Sequence, residues 1–169
     1  MSYRFRRKLT RSLPAGLLLV RAYLRILLVD LELRTFGFQH LLRRARPAAA
    51  NSQPVTIDAK RRAVRYARAI ARAARYHVAP ARCLHRSAAL HLWLAGEGLP
   101  SELRIGVQRE GHALYAHAWV ELAGRIINDQ PSAVGAFTPL FSSSPPAPVL
   151  AGAMSAAMAG RNSELGKEA

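Results

Sequence analysis

Between Pro80 and Pro131 the hydrophobic residues change their period, and that change limits the folds this chain can reach. From Cys83 to Leu94 the spacing is helical, with Leu84, Ala88, His91, Leu92 and Ala95 on one side and Gly96 and Gly98 ending the run. The stretch SELRIGVQ then reads as a strand. From Tyr115 to Leu122 the residues alternate: Leu114, Ala116, Ala118 and Val120 point one way, and Tyr115, His117, Trp119 and Glu121 the other. The small residues suit a core against the helix, which leaves His117 and Trp119 on a shared, partly open face. A helix followed by an antiparallel hairpin is an α+β arrangement.

Three residues in this stretch carry chemistry. Cys83 is the only cysteine among 169 residues, so no internal disulfide framework exists and a reducing cytoplasm suits the chain. Its place in the first turn of a helix, beside Arg82 and Arg86, favours thiolate over thiol, and the same turn offers N–H groups to an oxyanion. A buried structural cysteine is the other reading. His117 gains meaning only through a partner, and Asp129 follows it by twelve residues. A two-residue loop at Ala123-Gly124 would pair Ala118 with Asp129 and send the carboxylate to the wrong face. A three-residue loop at Leu122–Gly124 would pair His117 with Asp129, so a Cys-His-Asp triad predicts an odd loop or a bulge here. The remaining histidines, at 40, 77, 85, 91 and 112, form no zinc ligand set, and no phosphate-cradling or nucleotide motif occurs.

Charge divides the chain. Residues 1–78 hold 18 of the 25 Lys and Arg but 3 of the 10 Asp and Glu, while residues 79–169 are neutral overall. The basic half attracts anionic partners. Its opening, a basic arm over residues 1–11 and an uncharged run from Ser12 to Val20, looks like a signal peptide. However, Arg21 and Arg25 interrupt it, and no small-residue cleavage site follows. The apolar run also falls well short of the ~20 residues a span requires. Ala15–Arg34 is helical, with Arg21, Arg25 and Glu32 on one stripe and Leu17, Leu24, Leu27, Leu28 and Leu31 over the rest. Either it packs in a core or on a partner, or it lies on an anionic membrane as an interfacial helix.

Residues 47–54 are a linker by composition, and Thr56 caps a second helix that runs to about Tyr76. Ala59, Ala63, Tyr66, Ile70 and Ala73 form its apolar face. Arg61, Arg65, Arg68, Arg72 and Arg75 form a stripe, either an ordinary solvated face or a docking surface for substrate or partner, with Trp119 a further binding candidate. Beyond Phe141 the Ala, Ser, Pro and Gly content predicts disorder. The chain therefore divides into a basic helical region (1–50), a catalytic domain (51–141) and a low-complexity tail (142–169).

The string C-L-x-R-S-x-x-L-x-x-x-L from Cys83, followed by L-R-I-G-V, A-H-A-W-V-E and I-N-D, resembles the transglutaminase-like leader peptidases of lasso-peptide biosynthesis. The match runs from Cys83 to about Pro131. The resemblance implies a transglutaminase/papain-like core and a cysteine peptidase. With Cys83, His117 and Asp129 as triad, such an enzyme cuts the leader from a ribosomal precursor peptide. It also implies a separate leader-recognition protein, since residues 1–78 read as helices with no three-stranded leader-binding module. An ATP-dependent macrolactam synthetase is the other implied partner, and the peptidase itself uses no metal or cofactor.

Two rivals stand beside this reading. One is another transglutaminase-like acyl transfer, in which an amine resolves the thioester. The other is a non-catalytic basic protein that binds membrane or nucleic acid. Few aromatics in the basic half and no reading motif disfavour nucleic acid.

Overall fold

The computed structural model describes residues 14–45, 55–78 and 80–143. The expected basic arm and the 47–54 linker lie outside the described residues, as does the expected 142–169 tail except its first two residues. These are ordered, because Ser142 ends β4 and Ser143 exchanges hydrogen bonds with the Leu103 backbone at 2.9 Å. In order, the elements are α1 (Ala15–Thr35), α2 (Gly37–Arg44), α3 (Ile57–Ala74), α4 (Cys83–Gly96), β1 (Ser101–Glu110), β2 (Ala113–Leu122), β3 (Arg125–Ile126), α5 (Pro131–Val134) and β4 (Thr138–Ser142).

The four strands form one antiparallel sheet ordered β3-β2-β1-β4. The alternation on β2 and the Gly111 turn (φ 59°) give β1 and β2 an unbroken ten-residue register, which sets Gly106 opposite His117. α4 lies on the face that carries Leu103, Val120 and Leu122, and α1 and α3 pack against α4 and each other. The helix that opens on Cys83 is thus the middle layer, and it is buried at Ser87, Ala88, Ala89, Leu90, His91, Trp93 and Leu94.

α3 begins where Thr56 Oγ1 accepts the Ala59 N–H at 3.3 Å, and its alanine face lets neighbouring helices approach closely. Tyr66 from that face stacks on Trp93 at 4.3 Å with 7° between the rings. The five stripe arginines, four on α3 and Arg75 at its C-cap, are all exposed.

α1 is oriented unlike a simple amphipathic helix. Leu18, Ala22, Ile26, Val29 and Glu32 are buried, whereas Leu17, Leu24, Leu27, Leu28 and Leu31 face outward. The arginine stripe turns inward: the Arg21 and Arg25 guanidinium groups lie 5.6 and 5.0 Å from the centre of the Trp93 ring. Cation–π attraction offsets part of their desolvation. Burial, then the neighbouring Arg21 charge, pulls the Arg25 pKa below the ordinary guanidinium value. Glu32 accepts from Arg44 and pairs with His40 Nδ1 at 3.0 Å, which folds α2 back on α1. No described helix is long and apolar enough to cross a membrane.

Candidate active site

The carboxylate reaches the imidazole by a route that differs from the expected one. The β2–β3 connection is the two-residue turn Ala123-Gly124, both residues at positive φ (50° and 71°), with Leu122 opposite Arg125 and Glu121 opposite Ile126. That is the geometry of a type I′ turn, so the three-residue loop does not occur. Continued, this register would put Asp129 opposite Ala118. The ladder stops first. Ile127 N–H still donates to Val120 C=O at 3.0 Å, but the Val120 N–H is taken by the Asn128 side chain, Oδ1 at 2.8 Å. A side chain replaces the next backbone carbonyl, the chain bends over residues 127–129, and Asp129 is carried to the imidazole. Its Oδ2 lies 2.7 Å from His117 Nε2, and its Oδ1 accepts the Gln130 N–H at 2.9 Å.

Where β3 ends, the edge of β2 would be left unpaired, and α4 fills it. Ser87 Oγ donates to the Ala118 carbonyl at 2.7 Å and accepts from Asn128 Nδ2 at 2.9 Å. Strand geometry explains the choice of partner: Ala118, two residues before Val120, directs its carbonyl to the same side. At the other end of α4, His91 Nδ1 meets Ser101 Oγ at 3.0 Å and Nε2 donates to Ala45 C=O at 2.6 Å. The helix therefore runs along β2, with its N-terminal end toward the residues before Ala118. Cys83 is four residues ahead of Ser87, on the same face and ~5–6 Å further along. That step takes it toward the level of His117. The thiol is free and half-exposed, and no side chain caps the helix N-terminus. Among the described residues no hydrogen bond joins sulfur to imidazole. Bonds of this type often tighten only when substrate is bound.

The outer face of the sheet braces the imidazole. Phe137 and Trp119 flank it at ring-centre distances of 5.2 and 6.4 Å. Trp119 is only 2% exposed and donates to Glu121 Oε1 at 2.9 Å. It is therefore a buried support under His117, and the expectation of an open binding face fails there. Gly106 makes this packing possible. A Cβ at that position would lie 2.9 Å from the Thr138 carbonyl and 3.0 Å from the Trp119 ring. β4, which the sequence reading missed, thus lies tight against β1 and brings Phe137, the residue before it, to the imidazole.

The stripe arginines, four on α3 and Arg75 at its C-cap, do not contact the His117–Asp129 pair; Arg61 and Arg65 line a shallow surface concavity with Asp58 and Arg62. Ser87 and Asn128 are the residues the sequence reading overlooked. Their only local signal is that Ser87 stands four residues after Cys83 in C-L-x-R-S and Asn128 directly before Asp129 in I-N-D. Among the described residues no three His, Cys, Asp or Glu side chains group to hold a metal ion.

With Nε2 bonded to a carboxylate, His117 carries its proton on Nε2 and presents the Nδ1 lone pair as a base. An imidazole oriented in this way and a helix-start thiol are the components of acyl transfer through a thioester. A comparison with protein families returns the transglutaminase-like superfamily, matched over residues 25–142, more than two thirds of the chain. The matched region takes in α4 and the whole sheet and begins inside α1. Comparisons with curated proteins and with solved structures return no match.

Proposed function

Because the chain belongs to the transglutaminase-like superfamily, we propose that it is a cysteine peptidase that removes the leader from a ribosomally made lasso precursor peptide. Members of the superfamily are usually cysteine peptidases or transglutaminases. The observation that carries the reading is the 2.7 Å His117–Asp129 bond at the rim of β2, the edge along which the Cys83 helix runs.

In the proposed cycle His117 Nδ1 takes the thiol proton and the Cys83 thiolate adds to the scissile carbonyl. The first-turn N–H groups of α4 receive the oxyanion. Collapse breaks the C–N bond, and Nδ1 returns its proton to the leaving amine. Water, deprotonated at the same nitrogen, then opens the thioester, releasing a carboxylate and the free thiol. Asp129 holds the Nε2 proton in place and stabilises the imidazolium. No cofactor takes part.

The exposed arginines at 61, 65, 68, 72 and 75 support docking of an acidic segment, supplied by the precursor or by a separate leader-recognition protein. ATP enters only at the partner macrolactam synthetase, which closes the ring afterwards. The cytoplasm is the proposed setting.

Cleavage of a synthetic precursor, followed by mass spectrometry with the leader-recognition protein present, tests the reading. Cys83→Ala should lower the rate roughly a thousandfold or more with an unchanged circular dichroism spectrum. A variant that cleaves at the normal rate would end the proposal. Product mass separates the rival chemistry: hydrolysis leaves a new carboxylate, whereas transfer to an amine leaves a new amide.

A further inference from the structure

We propose that the outward face of α1 docks this protein on an anionic lipid surface. Leu17, Val20, Leu24, Leu27 and Leu31 follow alternating spacings of three and four residues, with Leu28 beside them, and all six are exposed, Leu28 at 60%. At ~1.5 Å per residue the stripe is about 20 Å long. Phe36 and Phe38, exposed just past the end of α1, extend it. An unbroken aliphatic stripe of this length is rare on a monomer and marks an interaction surface.

Charge selects the occupant. No acid occurs before Asp30, and residues 1–25 contain seven basic side chains. The two acids of α1 are already engaged: Asp30 pairs with Arg34 at 2.9 Å and with His85 at 3.3 Å, and Glu32 with Arg44 and His40. A helix-pairing seam usually carries both signs along its borders; here Arg21 and Arg25 turn inward to Trp93, and the unbalanced charge comes from Arg4, Arg6, Arg7, Lys8 and Arg11, which precede α1 in sequence. A second copy would bring the same +15 charge to the contact. Anionic headgroups complement it, with the leucines entering the acyl boundary and the helix lying in the plane of the surface. No described helix can span a bilayer, which fits a peripheral contact. The inference is independent of the peptidase reading.

Flotation of the full-length chain with vesicles tests it. Phosphatidylglycerol-containing vesicles should bind at least about tenfold more tightly than pure phosphatidylcholine, and raising salt from about 0.05 to 0.5 M should weaken binding. Leu24→Ser/Leu28→Ser/Leu31→Ser should weaken it by about tenfold or more at an unchanged melting temperature. If that triple variant melts early, Leu28→Ser alone serves, with a smaller loss in the same direction. Failure of the wild-type chain to float with phosphatidylglycerol overturns the proposal. So does a folded leucine variant that binds as tightly as wild type, which would reduce the effect to charge alone. A leucine-dependent dimer without vesicle binding would assign the face to a second copy and overturn it equally.

Discussion

α1 and α4 are both leucine-rich helices that pack against each other, yet they make opposite use of their leucines. α4 is enclosed between the sheet and the other helices, so Leu90, Trp93 and Leu94 are buried at 0% exposure. α1 has α3 and α4 on one side only. It shows its leucines to solvent and presses Arg21 and Arg25 against Trp93. Residue type did not decide which stripe went inward. A flat indole ring already stacked on Tyr66 can accept a guanidinium plane on its other side, and a leucine-filled face would compete poorly for that role.

The largest effect should come from removing the object both helices share. Trp93→Ala deletes a fully buried ring that touches Tyr66 and the two arginines, and it should cost about 3–5 kcal/mol in urea denaturation. A loss below about 1 kcal/mol would mean that α1 is not held through this stack.

Asn128→Ala should come next. It leaves the Val120 N–H without its acceptor and frees Ser87 from one of its two partners. About 1–3 kcal/mol of stability should be lost. Cleavage should fall by about 10–100-fold, because the bend that delivers Asp129 to His117 is no longer pinned. Asn128→Asp keeps the acceptor oxygen and should recover part of the rate. Loss of stability with full activity would show that Asp129 is held by other means.

These residues also mark where sequence reasoning stopped. The cap at Thr56, the alanine face of α3 and the start of α4 at Cys83 follow from local periods and appear as expected. The alternation on β2 gives the strand, but its core face holds only from Ala118 onward, since Leu114 and Ala116 are exposed and Trp119 on the opposite face is buried. The His117–Asp129 contact was legible as a pairing demand, but its route was not. A turn built on Ala-Gly lacks the usual Asn or Asp, and the ladder is broken by Asn128 acting with Ser87, 41 residues away. The orientation of α1 depends on Trp93, still further in sequence from Arg21 and Arg25. β4 carries Pro139 and gave no strand signal of its own.

A smaller effect is expected from pH. His91 lies within α4, between Ser101 and the end of α2, and burial lowers its pKa more than the Ala45 carbonyl raises it. The folded protein therefore keeps the ring neutral while the unfolded chain protonates near pH 6.5. Its contribution is complete above about 6.5 and declines as pH falls below it, with a slope of at most about 1.4 kcal/mol per unit. Burial lowers His85 as well, with Asp30 opposing, so it acts in the same direction. Urea midpoints at pH 5 and 7.5 should differ less in His91→Gln than in wild type. Equal differences would place the pH response elsewhere.

The smallest effect is the most direct test of the contrast between the helices. Leu28 is 60% exposed on α1, so Leu28→Ser removes little buried area and should cost a few tenths of a kcal/mol through helix propensity. If the face is idle in the folded monomer, the melting temperature of dilute protein should stay within about 2 °C of wild type. A loss of 2 kcal/mol or more would mean the stripe is already covered in solution, and α1 would then be as enclosed as α4. Repeating the melt at several protein concentrations separates the cases, because stability that depends on self-association rises with concentration and an exposed stripe gives no such dependence.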